Sequence, residues 1–184
     1  PDDLAAILYT SGTTGHSKGA MLTHRCLQSN AEALVDTWRF NENDVLIHTL
    51  PIFHTHGLFV ATNVSLLAGS SMIFMRKFDT DGICQRMIEA SVLMGVPTYY
   101  HRLLKNPKLE QASKNMRLFI SGSAPLLVQT HVHWRERTGH VILERYGMTE
   151  TNMNTSNPYD GERRAGSVGL PLPGVEVIVT NPES

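Results

Sequence analysis

Short apolar runs recur along this chain with helical stretches between them, and that rhythm restricts the fold more than any other feature. "LAAILYT", "DVLIHTL", "SMIFM", "SVLMGV" and "MRLFISG" each have the length and side-chain content of a buried strand. Leu27, Ala31, Leu34, Val35 and Trp38 repeat at helical spacing behind Thr23, a capping residue. Gly57 to Ala68 reads as a mostly buried helix, and Ile83, Met87 and Ala90 mark another. Pro97 starts a helix, and Pro125 to Thr138 forms one with proline near its first turn. Strands separated by helices pair in parallel, because a parallel crossover needs a connection of about that length. The expected fold is α/β, a largely parallel sheet flanked by helices. From Gly161 the texture turns to Gly, Pro and Arg with one further strand, Val175 to Thr180. An α/β unit over 1–165 and the start of a β-rich subdomain over 166–184 are expected. Strand-like runs lie close to both ends, so the chain reads as an internal piece of something longer.

With 184 residues, 41% of them hydrophobic and 18% charged, the chain can bury a sizeable core. The formal net charge of -1 comes from interspersed acids and bases, which argues against nucleic acid or an anionic membrane as partner and for a small molecule. Cys26 and Cys84 stand apart in helical patterns and suggest neither a disulfide nor a zinc motif, so a reducing, cytoplasmic setting is expected. No stretch has the length of a membrane span or the pattern of a signal peptide.

Between the first strand and the first helix lies "TSGTTGHSKGA". A loop of this composition can turn backbone N–H groups and hydroxyls toward an anion, and a following helix N-terminus would add favourable potential for negative charge. Gly12, Gly15 and Gly19 allow positive φ and close approach, Ser11, Thr13, Thr14 and Ser17 donate, and Lys18 adds a point charge. Phosphate is the expected guest, although the stretch is not a Walker A motif and Gly/Ser/Thr loops are more often plain turns.

The order of residues says more than their composition. "YTSGTTGHSKGAMLTH" resembles the phosphate-loop signature of the adenylate-forming enzymes, which include acyl-CoA synthetases, luciferases and nonribosomal peptide adenylation domains. "LPIFHTHG", "SGSAPL", "ERYGMTE" and "GSVGLPLPGVEV" resemble later motifs of that superfamily in the same order. "MGVPTYYHRLL" and "LERYGMTETNMNTSNPYDG", taken with these, are similar to malonyl-CoA synthetases. The resemblance implies part of a large N-terminal domain, with ATP, Mg²⁺ and CoA as cofactors or co-substrates and a short dicarboxylic acid as substrate. The missing flanking segments of the parent chain, including a mobile C-terminal domain with the adenylation lysine, would be its partners in turnover.

It also implies roles for residues. Thr10, Ser11, Gly12, Thr13, Thr14, Gly15 and Lys18 would hold the β- and γ-phosphates, Thr149 would contact the α-phosphate, and Glu150 would bind Mg²⁺. Tyr146 would stack on adenine against Gly122, Ser123 and Ala124, with Glu144, Arg145, Gly147 and Met148 completing the nucleotide contacts. His54 would sit beside the reacting carboxylate, and His56, Ser121 and Ser123 would touch the acid. A second carboxylate must be neutralised once buried, and Arg102, aligned with Thr98 and Tyr99 at helical spacing, is the candidate for that task. Two rival readings stay open on the residues alone. His54 and His56 could ligate a metal in a hydrolase, although His131 and His133, two apart in a helical pattern, cannot chelate together. A non-catalytic nucleotide-binding module is the other.

Overall fold

A computed structural model describes residues 1–10 and 17–181. The first strand, β1 (Leu4–Thr10), does not lead through a loop into a helix. It pairs antiparallel with β2 (Lys18–Thr23), Tyr9 opposite Gly19 and Thr10 opposite Lys18, as a separate two-stranded sheet. Only then does α1 (His24–Trp38) begin, with the Thr23 hydroxyl accepting from the Cys26 N–H as its cap. The expected help of a helix N-terminus at the phosphate loop is therefore corrected: the loop joins two strands, and the helix starts at the far end of β2. Gly19 also serves differently from the expectation. It adopts extended backbone in β2, and a Cβ there would meet the Ile7 side chain at 2.8 Å, so glycine makes room for a cross-strand neighbour.

The main sheet has seven strands in the order β4-β3-β5-β6-β7-β8-β9. β3 (Val45–His48), β4 (Ser71–Phe74), β5 (Val92–Gly95), β6 (Leu118–Ser121) and β7 (Leu143–Met148) are parallel, while β8 (Asn152–Ser156) and β9 (Leu170–Pro171) add antiparallel neighbours. Alternation along the strands sorts side chains between two cores. Leu46, Val92, Met94, Leu118 and Ile120 join Leu34 and Trp38 of α1 and Val60 and Val64 on one face. Ile47, Leu93 and Phe119 join Ile83, Met87, Leu103 and Trp134 on the other. Each such fully buried aliphatic side chain contributes about 1.5–3 kcal/mol of transfer free energy. Helices cover both faces: a π-helical stretch His56–Thr62 running into α2 (Asn63–Leu67), α3 (Thr80–Arg86), α4 (Pro97–Leu103), α5 (Leu109–Ala112) and α6 (Val128–Thr138).

Two boundaries differ from the sequence reading. Helix α6 starts at Val128, not at Pro125, because Leu126 is buried in the second core and Leu127 keeps extended backbone at ψ 132°. Val175 to Thr180 forms no strand: it pairs with none of the described strands, and Ile178 and Val179 stay exposed. The segment after 165 nevertheless joins the main sheet through β9 and places Leu172 in the first core. Among the described residues, Cys26 and Cys84 are free thiols, and no helix is long and apolar enough to cross a membrane.

One carboxylate ties three strands at the amino-terminal edge of the sheet. Asp44, just before β3, accepts from Ser91 before β5 at 2.7 Å and from Arg117 before β6 at 2.6 and 2.5 Å, and also from the Asn41 N–H at 3.0 Å. Burial pushes this carboxyl up, but the hydrogen bonds from Arg117, Ser91 and Asn41 outweigh it and hold the group below the usual aspartate range. A depressed folded-state value means that the stabilisation is present above the unfolded pKa and fades as pH falls through the folded one. Asp44→Ala is expected to cost about 3–5 kcal/mol in urea unfolding at pH 7, by stranding Arg117. The difference from wild type should shrink on acidification, and equal stability at pH 7 would refute the assignment.

Candidate active site

Parallel strands end their carboxyl termini along one edge, and there the sheet opens to ligands. The segments that follow β3, β5, β6 and β7 bring 49–56, 96–99, 122–124 and 149–150 to that edge, the second of them entering α4. His48, the last residue of β3, donates from Nε2 to the Gly57 carbonyl at 2.9 Å and stacks on Phe74, pinning the loop that carries the two following histidines. Burial lowers the His48 pKa, with the bond to Gly57 opposing.

Two cavities adjoin at this edge. The larger, about 580 Å³, is lined by Thr10, His54, His56, Tyr99, Thr149 and Glu150 among others. The smaller, about 420 Å³, has Ala124, Tyr146, Gly166 and Val168 on its walls, with Ser121 and Glu144 below. Ser123, Arg145 and Gly147 face both. The Tyr146 ring is 46% exposed, available to stack on a flat ligand, and Ala124 and Ser123 share its cavity. Gly122 is not on the wall but behind it, where a Cβ would lie 2.4 Å from the Arg145 guanidinium carbon.

The two histidines have different surroundings. His54 is exposed and tilts against Phe53, whereas His56 is 5% exposed and bonds through Nδ1 to the Ser123 hydroxyl at 3.1 Å. Ser123 reaches it from left-handed backbone, φ 70°, which costs a non-glycine residue about 1 kcal/mol or more. Burial, the Arg145 charge and His48 together press the His56 pKa well below that of a free imidazole, so the ring is neutral at pH 7.

Arg145 is the cation inside the site. It is 3% exposed, and its Nε and Nη2 have no hydrogen-bond partner among the described residues. Burial lowers its pKa to about 10, which still leaves it cationic at neutral pH. Its sequence neighbour Glu144 points elsewhere, accepting from the Gly166 N–H at 3.2 Å and meeting His131 Nδ1 at 3.1 Å, which makes His131 a buried structural partner. The expectation for Arg102 is corrected. Its guanidinium lies 4.6 Å from the Phe78 ring, Phe78 in turn stacks on Tyr99 at 4.0 Å, and only Tyr99 reaches the cavity. Phe78 thus stands between Arg102 and the site.

Ser11, Gly12, Thr13, Thr14 and Gly15 lie outside the described residues; Thr10 and Lys18, which flank them, are cross-strand partners, with Thr10 on the cavity wall and Lys18 exposed beside it. Glu150 is exposed, with no hydrogen bond or ion pair among the described residues, as an acid free to meet a hard cation is. No group of three or more His, Cys, Asp or Glu is placed to hold a metal among the described residues, so the rival in which His54 and His56 anchor a hydrolytic metal lacks further ligands. Thr55, Val96 and Met153 also line the larger cavity and were not expected there. For Thr55 the signal was available: in "HTHG" it lies between two residues already assigned to the site.

An α/β sheet with a tyrosine-walled cavity beside one carrying hydroxyls, histidines and a free carboxylate defines a nucleotide-binding domain with room for a second, polar small molecule. Comparison with known proteins gives the family: the AMP-binding enzyme model matches residues 1–184, and the chain belongs to that family. It is 40% identical over 204 residues to the malonate–CoA ligase of Arabidopsis thaliana and 43% identical over 196 residues to a probable CoA ligase of Humulus lupulus, covering 100% and 95% of this chain. ATP-bound MatB from Rhodopseudomonas palustris superposes with a TM-score of 0.97 at 67% identity, over 100% of this chain and 37% of that one. The chain spans about a third of the length of the curated relatives it matches, 34% and 32% of these two ligases.

Arg102→Ala is expected to leave acid preference within about twofold, the scale of a surface substitution; a loss of tenfold or more for a diacid would return Arg102 to the site. The His56 ring carbon resonances should show no titration between pH 5.5 and 8, whereas a midpoint near 6.5 would contradict its burial beside Arg145.

Proposed function

We propose that this chain is the nucleotide- and acid-binding part of a longer AMP-forming acid–CoA ligase that activates malonate or a similarly short dicarboxylic acid. The observation that carries the reading is the shared cavity. His54 and His56 from the loop after β3 face the same space as Thr149 and Glu150 after β7 and Thr10 before the phosphate loop, so an acid and the phosphate end of a nucleotide can meet there. Relatives named malonate–CoA ligase support the substrate class, as does a malonyl-CoA ligase structure with methylmalonyl-CoA and AMP bound, 44% identical with a TM-score of 0.91.

A carboxylate is a poor acyl donor because oxide would have to leave. One carboxylate oxygen of the acid therefore attacks the ATP α-phosphorus, the bond to the β-phosphate oxygen breaks, and diphosphate departs. The CoA thiolate then adds to the acyl carbon and AMP leaves with the former carboxylate oxygen. The protein's part is positioning and charge compensation. Tyr146 and Ala124 would hold the base, Thr10, Lys18 and the hydroxyls between them the polyphosphate, Thr149 the α-phosphate, and His54 the approaching carboxylate. Glu150 would hold Mg²⁺, which supplies positive charge to the phosphates when bound. The net charge of -1, with acids and bases interspersed along the chain, suits small-molecule partners, and a cytoplasmic setting belongs to the same reading.

Acid-dependent ATP–diphosphate exchange tests this in the whole enzyme carrying the chain. Malonate or methylmalonate should support exchange at least tenfold above acetate and succinate. Exchange with acetate but not malonate would overturn the substrate class, and no exchange with any acid would overturn adenylate formation.

A further inference from the structure

A third cavity shares Glu150 with the larger one and lies between the first turn of α1 and the start of β8. It holds about 260 Å³, room for a group of a few heavy atoms, and Cys26, Ser29, Glu150, Thr151, Asn152 and Leu172 are on its walls. Its frame is fixed, because Asn30 of α1 donates to the Met153 carbonyl at 2.9 Å and accepts from the Met153 N–H at 3.2 Å. Two acceptors on the walls are without donors. Asn152 is 3% exposed, and its Oδ1 is buried with no partner among the described residues, where Glu150 also has neither hydrogen bond nor ion pair. A buried acceptor without a donor is unfavourable, and a ligand's N–H removes the deficit. Among the described residues no lysine, arginine or histidine lines the cavity, so its walls favour a cation that donates hydrogen bonds.

Cys26 stands at this cavity in the first turn of α1, and its thiol is exposed. The Thr23 hydroxyl donates to Sγ at 3.1 Å, and hydrogen bonding with Thr23 holds the thiol below its ordinary range, with burial and then Asp2 opposing. The N–H groups at a helix start also favour a thiolate. The geometry points to Cys26 as a modification site for a small cationic aminothiol, joined by a disulfide, with its ammonium seated against Asn152 Oδ1 and the Glu150 carboxylate. The reaction is an exchange. The Cys26 thiolate attacks one sulfur of an aminothiol disulfide, the new S–S bond forms as the old one breaks, and the second aminothiol leaves as a thiolate that takes a proton from water. The disulfide's oxidation level passes to the mixed disulfide, so no further oxidant is required. The disulfide of glutathione would bring an excess of carboxylates beside Glu150, and a hydroxyalkyl disulfide would supply a donor without charge. Because Glu150 also lines the larger cavity, an adduct here acts on the nucleotide site. That effect on activity rests on the ligase reading above; the modification itself does not.

Three probes test it on the whole enzyme carrying the chain: cystamine, hydroxyethyl disulfide and glutathione disulfide. Labelling at Cys26 is followed by peptide mass spectrometry, and each rate is divided by that of the same disulfide with a free cysteine peptide. Cystamine is expected to lead the normalised rates by about tenfold, the scale of one charge-assisted hydrogen bond. Asn152→Gly keeps the left-handed backbone, φ 55°, while removing Oδ1, and should cut that lead by about threefold or more; Asn152→Asp should widen it. Cystamine-treated enzyme should lose acid-dependent ATP–diphosphate exchange and regain it with dithiothreitol, whereas Cys26→Ser should keep its exchange under the same treatment. An unlabelled Cys26, equal normalised rates for the three disulfides, or a cystamine lead unchanged in both Asn152 variants would each overturn the site. Labelled enzyme with undiminished exchange, or an equal loss in Cys26→Ser, would overturn the seat of the ammonium at Glu150. An enzyme without exchange before treatment would sink the ligase reading, and the labelling rates would still decide this one.

Discussion

Asp44 closes the amino-terminal edge of the sheet, and the opposite edge is free for chemistry because of it. A parallel strand leaves its first backbone groups and its neighbours' loops to be satisfied from outside the ladder. Here one carboxylate collects Ser91, Arg117 and a backbone N–H from the approaches to β3, β5 and β6. Arg117 also donates to the Trp38 and Arg39 carbonyls at the end of α1, so the same cluster fixes the helix that covers the first core. With both faces buried and the amino edge tied, only the loops at the carboxyl edge can vary without disturbing either core.

Two arginines, one paired and one without a carboxylate partner among the described residues, show how a partner sets a guanidinium's charge equilibrium. Arg117 meets a carboxylate on two nitrogens, and its pKa is raised although burial alone would lower it. Arg145 has only burial acting on it strongly, with a small opposing influence from Tyr100, and its pKa is lowered. Arg117 is partly exposed, at 23% of its side chain, and Arg145 is 3% exposed; burial lowers both, and the hydrogen bonds to Asp44 reverse the sign for Arg117. A paired guanidinium holds strands together, whereas an unpaired one is a standing cost that a ligand's negative charge can offset.

Much of the fold was legible because its signals are local. Periodicity placed β3, β5, β6 and the helices α1 and α4 near their observed bounds, with Thr23 as a cap and Pro97 at a first turn, since each depends on neighbours in sequence. What failed depends on partners distant in sequence. "KGAMLT" looks like a continuation of a loop until Leu4–Thr10 lies alongside it, and Val175 to Thr180 has strand composition but pairs with no described strand. The site followed the same division. "HTHG" and "GMTE" converge as their motifs implied, yet the acid's cation was sought on a helix, where Arg102 has the right spacing but Phe78 intervenes. Nothing in "LERYG" discloses that Glu144 pairs with His131 while the Arg145 guanidinium stays without a carboxylate among the described residues.

Neutral His56 next to cationic Arg145 also bears on how the site handles charge. Were the imidazole protonated, two cations would face one cavity. Burial, and after it the Arg145 charge, keep the ring neutral, so His56 adds no second positive charge beside the guanidinium.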